Sequence, residues 1–333
     1  MESPESPILT VVFPVYKDHD FLRRALTALK RQTFRSFKVV IIDNASPVGF
    51  DALREEFKAE FPVEITRNET NIGAMPNMLK SITFPVDTKY ILSQHADDFL
   101  KSDYLEQAIL LLEKNPSISW VTTGPEWVSK DITFTEKRMD STEYITFDAA
   151  EFAEAVLNFT PFIFGAVIYR KEQRIYDWKF NLYDVFCDRF MLGTILEQFN
   201  AHGAFFTGRG IFERDHTLDV RDDRGSTLTP THAINLLSFY RGLLTKKFPR
   251  NKVDVLSTNA ALYYLSTFPR SFSLRAFLKE QKPHHLISIH AIRGLGLYAL
   301  FTRLLSNSAK LGLLRFRKRI KNLFHYNRVI ENT

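Results

Sequence analysis

The chain has 333 residues, 45% of them hydrophobic and 25% charged, the balance of a soluble globular protein with enough core for one large or two smaller units. Its single cysteine, Cys187, excludes a disulfide framework and a cysteine-built zinc site, and no run of about 18 apolar residues is present to span a bilayer. The net charge of +6 is uneven: residues 309–333 hold seven Lys and Arg against one acid, Glu331, and so carry the whole excess. A nucleic-acid enzyme concentrates basic residues around its active site, so this distribution argues against nucleic acid and for a basic tail. The opening Met1–Pro7 is acidic and has no apolar core, which with the lone cysteine gives an expectation of a cytoplasmic protein.

Ile8–Phe13 is a β-branched apolar run closed by Pro14, a buried first strand. Asp18–Gln32 follows as a helix with Leu22, Ala25, Leu26 and Leu29 on one face. Phe37–Ile42 is a second strand ending at Asp43-Asn44, then come a helix over Leu53–Glu60 and a short strand over Val63–Thr66. Asn71–Asn77 leads into another helix and Lys89–Ser93 forms the next strand. This alternation predicts an α/β fold with a parallel, doubly wound sheet. No Gly-x-Gly-x-x-Gly or Gly-x-x-x-x-Gly-Lys-Ser/Thr is present, so dinucleotide-binding and P-loop readings lose their main support.

Polar residues follow one strand end after another: Pro14-Val-Tyr16, Asp43-Asn44, Asn68–Gly73 and His95–Asp98. Ligands of an open α/β sheet bind at the carboxyl ends of its strands. His95, Asp97 and Asp98 put three ionisable groups into four residues there, and adjacent carboxylates call for a hard divalent cation. Downstream, Ser102–Glu106 opens a helix, with Asp103 as its cap and Glu106 as the capping-box partner. After Trp120–Thr123 the rhythm breaks. Gly124–Phe147 reads as polar and irregular, Ala149–Asn158 as a helix, and Thr160–Tyr169 as a buried strand. Asn181–Leu192 runs into a further helix, and Ala204–Phe212 is another strand.

Thr10–Tyr16, Val40–Ser46, Asn71-Ile-Gly73 with Asn77, and Leu92–Leu100 resemble, in order and spacing, the motifs of family 2 glycosyltransferases, which have the GT-A fold and are mostly inverting. The resemblance covers roughly residues 8–220. It implies a Rossmann-like GT-A domain over 1–228, with 8–125 as the nucleotide-sugar half and 126–228 as the acceptor half, followed by a helical region over 229–333. It also implies that Pro14 and Tyr16 line the nucleoside pocket, that Asp43 hydrogen-bonds the base, and that Asn71, Gly73 and Asn77 lie along the nucleotide. The family's Asp-x-Asp pair falls on His95 and Asp97. Asp97 then keeps the metal position, His95 departs from the pattern, and the extra Asp98 stands near the donor sugar. A neutral histidine can ligate Mn²⁺ or hydrogen-bond the ribose, so a divalent cofactor, Mn²⁺ or Mg²⁺, remains the expectation.

Inverting transfer needs a carboxylate within reach of the acceptor hydroxyl. By the family's register Asp188 is that base and Asp184 its reserve, while Arg214-Asp215-His216 fits an Arg-x-His whose histidine approaches the metal or diphosphate. From Thr231 the pattern is helical. It ends in Leu311–Phe324, an amphipathic stretch whose basic residues suit an anionic membrane surface. Together these readings give an inverting transferase that moves a sugar from a nucleotide diphosphate sugar to a glycan or lipid-linked acceptor. The expected setting is surface polysaccharide or lipopolysaccharide assembly, peripheral on the inner face of the plasma membrane. A non-catalytic sugar-nucleotide or glycan-binding protein of the same fold is the alternative, made conceivable by His95.

Overall fold

The structure is a computed structural model that describes residues 6–128, 137–157, 166–173, 187–214, 237 and 239–257. The chain divides into two compact units, Met1–Ser226 and Thr227–Thr333. In the first unit the chain alternates β1 (Leu9–Val15), α1 (His19–Lys30), β2 (Phe37–Asp43), α2 (Asp51–Phe57), β3 (Val63–Arg67), α3 (Ala74–Ile82) and β4 (Tyr90–Ser93). After these come β5 (Phe99–Leu100), α4 (Tyr104–Lys114), β6 (Ile118–Val128), β7 (Tyr144–Phe147), α5 (Ala149–Leu157), β8 (Ile168–Arg170), α6 (Cys187–Gln198) and β9 (His202–Arg214).

All nine strands join one sheet in the order β3-β2-β1-β4-β8-β6-β9-β5, with β7 also on β9. The first four strands pair in parallel, so Val15, Asp43, Arg67 and Ser93 end at the same edge. Beyond β4 the sheet is mixed, because β8 runs antiparallel between β4 and β6. Alternate residues of the central strands serve opposite faces. Val11, Phe13, Val39, Ile41 and Leu92 share an apolar cluster with Leu22, Leu26 and Leu29 of α1 and Leu105 and Leu112 of α4. Val12, Val40, Ile42 and Ile91 are buried outside that cluster, on the face where α3 lies against β1 and β4. Each such side chain contributes roughly 1.5–3 kcal/mol when fully buried.

Pro14 does not end β1. Asn44 N–H donates to Val15 O and Gln94 N–H to Val12 O, so even-numbered residues of β1 face β4. The β1–β4 ladder stops at Val12 and Ser93, and the N–H that proline lacks would have had no partner there. Nor is Gly124–Phe147 irregular throughout. β6 continues to Val128 across bulges at Thr123–Pro125, and Tyr144–Phe147 pairs antiparallel with β9.

The capping box expected on α4 is absent. Asp103 Oδ1 accepts from Met139 N–H at 2.8 Å and Oδ2 pairs with Arg138 Nε at 3.3 Å, while Glu106 Oε2 accepts from Thr33 Oγ1 at 2.9 Å. In the second unit residues 239–244 and 250–257 are helical, tied by Arg241 Nη2 to Asp254 Oδ1 at 2.6 Å. The basic tail at 309–333 lies outside the described residues. Among the described residues no helix is long and apolar enough to cross a membrane.

Candidate active site

The parallel edge gathers the strand-end residues singled out in the sequence. Asp43 is buried at the end of β2, with Oδ1 accepting from Ser46 N–H at 2.8 Å and Oδ2 ion-paired to Arg67 Nη1. Arg67 Nη2 also donates to Ser46 O at 2.7 Å, and its side chain stays 48% exposed. Asp43, expected to meet the base, thus has protein donors on both oxygens and a half-exposed guanidinium beside it. The sequence reading missed Arg67, whose partner lies 24 positions away.

Two non-glycine residues at this edge adopt left-handed backbone, Lys17 at φ 66° and Ala45 at φ 58°. Lys17 N–H donates to Ser46 Oγ at 2.9 Å, which binds the two loops together. Tyr16 is partly exposed next to the half-buried Pro14. Hydrogen bonding to Lys17 first, then to Asn71, draws its phenol below the ordinary tyrosine value.

Asn71, Gly73 and Asn77 sit in a network of side-chain amides. Asn44 Nδ2 donates to Asn71 Oδ1 at 2.9 Å and to Gly73 O at 3.2 Å, and Asn44 Oδ1 accepts from Ile72 N–H at 2.9 Å. Asn68 Nδ2 lies 2.9 Å from both Asn44 Oδ1 and Asn77 Oδ1, and Lys80 Nζ donates to Asn68 Oδ1 at 2.7 Å. Asn77 is buried and donates to Ile42 O at 3.3 Å, so it supports the loop from beneath while Asn71 is exposed. Gly73, at φ 90°, gives the loop a turn that other residues resist. Asn44, Asn68 and Lys80 complete the network and were not assigned roles from the sequence.

At the end of β4, His95, Asp97 and Asp98 bring one ligand atom each to within 4.8 Å of one another. Asp98 is buried. Its Oδ2 is 3.4 Å from His95 Nδ1, and its Oδ1 has no hydrogen-bond partner among the described residues. Gln94 Nε2 donates to Asp98 O at 2.9 Å and Asp98 N–H to His95 O at 3.3 Å, closing the turn. The sequence reading divided the acids, Asp97 for metal and Asp98 for sugar, whereas here both join His95 in one cluster. A buried carboxylate oxygen without a donor, beside a second carboxylate and an imidazole, fits a divalent cation, and the nitrogen ligand suits Mn²⁺ better than Mg²⁺.

A small cavity of ≈ 20 Å³, room for about one water, lies beside His95 and Ser93, with Met78 and Ile82 of α3 in its lining. Val167 and Tyr169 by β8, and Met191 and Leu192 of α6, close its far side. Asp188 is the second residue of α6, three and four positions before Met191 and Leu192. Only its backbone is described. Asp184 and His216 lie outside the described residues.

Residues 10–174 match the model of glycosyl transferase family 2. An uncharacterized glycosyltransferase of Haemophilus influenzae is 27% identical over 142 residues, covering 42% of this chain and 47% of its own length. The poly(ribitol-phosphate) beta-N-acetylglucosaminyltransferase TarS of Staphylococcus aureus is 22% identical over 111 residues, 32% of this chain and 19% of that protein. The chain thus spans less than half the length of these curated relatives. Among solved structures, S. aureus TarS 1–349 in complex with UDP-GlcNAc superposes with a TM-score of 0.54 at 14% identity, covering 82% of this chain and 77% of that one. The mannosyltransferase PcManGT from Pyrobaculum calidifontis, in complex with GDP-Man and Mn²⁺, gives 0.50 at 15% identity, covering 90% and 81%. The fold is the GT-A fold of these enzymes, and through residues 10–174 the chain belongs to glycosyl transferase family 2.

Proposed function

We propose that this protein transfers a sugar from a nucleotide diphosphate sugar to a hydroxyl of a glycan or lipid-linked acceptor, with inversion at the anomeric carbon. One observation carries the reading: His95 of the His95–Asp97–Asp98 cluster shares the lining of one small cavity with Met191 and Leu192 of α6, the helix that begins at Cys187-Asp188. A donor with its diphosphate at the cluster would present its anomeric carbon toward that helix. Asp188 then takes the proton of the acceptor hydroxyl as its oxygen bonds to the anomeric carbon, and the bond to the diphosphate breaks with its electron pair leaving on the nucleotide. Asp184 is the reserve for this role.

His95, Asp97 and Asp98 would hold a divalent cation. When bound, it supplies charge neutralisation for the departing diphosphate. On the nucleoside side, Tyr16, Pro14 and Arg67 with Asp43 surround the base, and the amide network fixes the Asn71–Gly73 loop against it. His216 would join the diphosphate from the carboxyl end of the domain. The domain would extend over 1–228, with a helical region after it. TarS, matched both by sequence and by fold, is named for transfer to a polymer and was solved with UDP. Its likeness supports a cell-surface glycan as the acceptor class and uridine diphosphate as the first nucleotide to test. The basic tail suits an anionic membrane where such acceptors are built.

The test is a thermal-shift panel of UDP, GDP, TDP and CMP with and without Mn²⁺, since a ligand of the native state raises the melting temperature by mass action. Stabilisation by one diphosphate that requires Mn²⁺ is expected. No shift with any nucleotide would overturn the reading, and binding without turnover on any acceptor would favour the non-catalytic alternative.

A further inference from the structure

An open groove of ≈ 860 Å³ lies at the amino ends of β2 and β3, away from the strand ends that carry the candidate active site. The end of α1 and the loop after it form one part of the lining, the end of α2 another, and Ser102 and Arg138 complete it. Its size is that of a small-molecule site, but its lining is charged. Four cations, Lys30, Arg31, Arg35 and Arg138, stand against two acids, Glu56 and Glu60. Both acids already have partners. Glu60 Oε1 is 2.6 Å from Lys30 Nζ, and Glu56 Oε2 is 3.0 Å from Arg23 Nε. Arg138 is held through Nε by Asp103 at 3.3 Å, and its side chain stays 65% exposed. Arg35 is exposed and has no hydrogen bond or ion pair among the described residues. The end of a helix favours cations, which accounts for Lys30 and Arg31. Arg35 and Arg138 belong to no helix, so that explanation does not reach them. None of the exposed large apolar side chains among the described residues lines the groove, which leaves a lipid or an apolar partner nothing to grip.

We propose that this groove is a second ligand site, which takes the phosphate group of a small phosphorylated molecule, with Arg35 as the principal contact and Arg31 and Arg138 beside it. A guanidinium presents parallel N–H donors at the spacing of phosphate oxygens and keeps its charge at every working pH. The arginines supply the positive charge themselves, so the site needs no metal ion. It shares no residue with the His95 cluster or with the nucleoside edge. The assignment therefore goes beyond the sugar-nucleotide reading and does not rest on it.

The experiment is calorimetric titration of the full chain, with EDTA present, by glucose 6-phosphate, glucuronate and glucose. Glucose 6-phosphate is expected to bind, glucuronate to bind more weakly, and glucose not to bind. Arg35→Gln should weaken glucose 6-phosphate by about tenfold, the loss of one charge-assisted hydrogen bond. Because Arg35 holds no partner in the fold, the variant should keep the parent's melting temperature and its response to UDP with Mn²⁺. Arg35→Lys keeps the charge without the planar fork and should fall between the two. Glucose 6-phosphate that fails to bind, glucuronate that binds equally well, or an affinity untouched by Arg35→Gln would each overturn the site. The last outcome would place the phosphate elsewhere, on the basic tail or at the nucleotide edge. A chain that binds glucose 6-phosphate through Arg35 but no nucleotide would keep this site and lose the sugar-nucleotide reading.

Discussion

Asp98 approaches His95 Nδ1 to 3.4 Å through one carboxylate oxygen and leaves the other buried with no partner among the described residues. A buried acceptor without a donor costs free energy, and a charged one more. The turn that holds it is otherwise well bonded, through Gln94 Nε2 and the Asp98 N–H. Asp98→Asn removes the charge while keeping the shape. The variant should melt no lower than the parent without metal, yet lose the rise in melting temperature that Mn²⁺ gives the parent. A full Mn²⁺ response in the variant would take Asp98 out of the cation site.

The amide network makes a separate prediction. Asn68 bridges Asn44 and Asn77 and accepts from Lys80, all within 2.9 Å and all partly or wholly buried. Asn68→Ala leaves two carbonyl oxygens and an ammonium without these contacts, at a cost of about 2–3 kcal/mol. Urea unfolding should show the loss as a lower midpoint with the slope unchanged. Exchange of the Ile72 amide hydrogen, held by Asn44 Oδ1, should quicken at the same time.

How far the sequence reached is clearest in two identical patterns. From the sequence a capping box is assigned to Asp103-x-x-Glu106 and none to Asp148-x-x-Glu151, which has the same spacing. In the second, Asp148 Oδ1 accepts from Glu151 N–H at 2.9 Å and Glu151 Oε2 from Asp148 N–H at 3.0 Å. In the first, Arg138, Met139 and Thr33 claim the same carboxylates from distant parts of the chain. Local spacing cannot rank a local hydrogen bond against a tertiary one. β1, β2 and β4 were legible because both faces are buried and their residues form nearly continuous apolar runs, while the partly exposed β3 was legible from Val63 and Ile65 alternating with polar residues. β6 was not, since Gly124 and Pro125 interrupt it at bulges, and β5 has only two residues. At the site, the grouping of His95, Asp97 and Asp98 follows from adjacency. The burial of Asp98 and the Arg67–Asp43 pair depend on packing between elements.

Ala45 tests the strained edge. An L-residue in left-handed backbone costs roughly 1–2 kcal/mol, a cost glycine avoids. Ala45→Gly, at φ 58°, should therefore gain up to about 1 kcal/mol after the larger unfolded-state entropy of glycine is counted. Ala25→Gly in the middle of α1 should lose about 1 kcal/mol or more and serves as the control. Opposite signs for the two changes are expected in the unfolding midpoints. A lower midpoint for Ala45→Gly would mean that the loop does not hold this conformation.

Arg170 predicts a large effect far from the chemistry. Its guanidinium is buried and donates to Ile118 O at 2.8 Å, to Leu112 O, and to Asn115 O at 3.2 Å, capping the end of α4. Arg170→Met would strand these carbonyls and cost on the order of 3 kcal/mol. Arg170→Lys should recover little of it, because an ammonium cannot reproduce the planar fork that reaches three acceptors. Recovery of most of the stability by lysine would show that charge alone matters at this position.

The last prediction concerns acid. Lys101 is buried, and its Nζ lies 2.9 Å from Glu126 Oε2, while Lys137 reaches Glu126 Oε1 at 3.2 Å. Burial alone pushes the Glu126 carboxyl up, but hydrogen bonds and charge from Lys101 and Lys137 outweigh it, and the net shift is downward from the ordinary 4.5. A carboxylate whose value is depressed by folding stabilises the native state above its unfolded value. That contribution declines as pH falls below about 4.5 and is gone below the folded value. Glu126→Gln should therefore cost roughly 2–3 kcal/mol at neutral pH, somewhat less than a fully buried pair because Glu126 is partly exposed. The difference between parent and variant should shrink steadily as the solution is acidified from pH 5 toward 3. Melting curves of the two chains across that range measure it directly, and a gap that stays constant with pH would show that Glu126 supports β6 by packing instead of by charge.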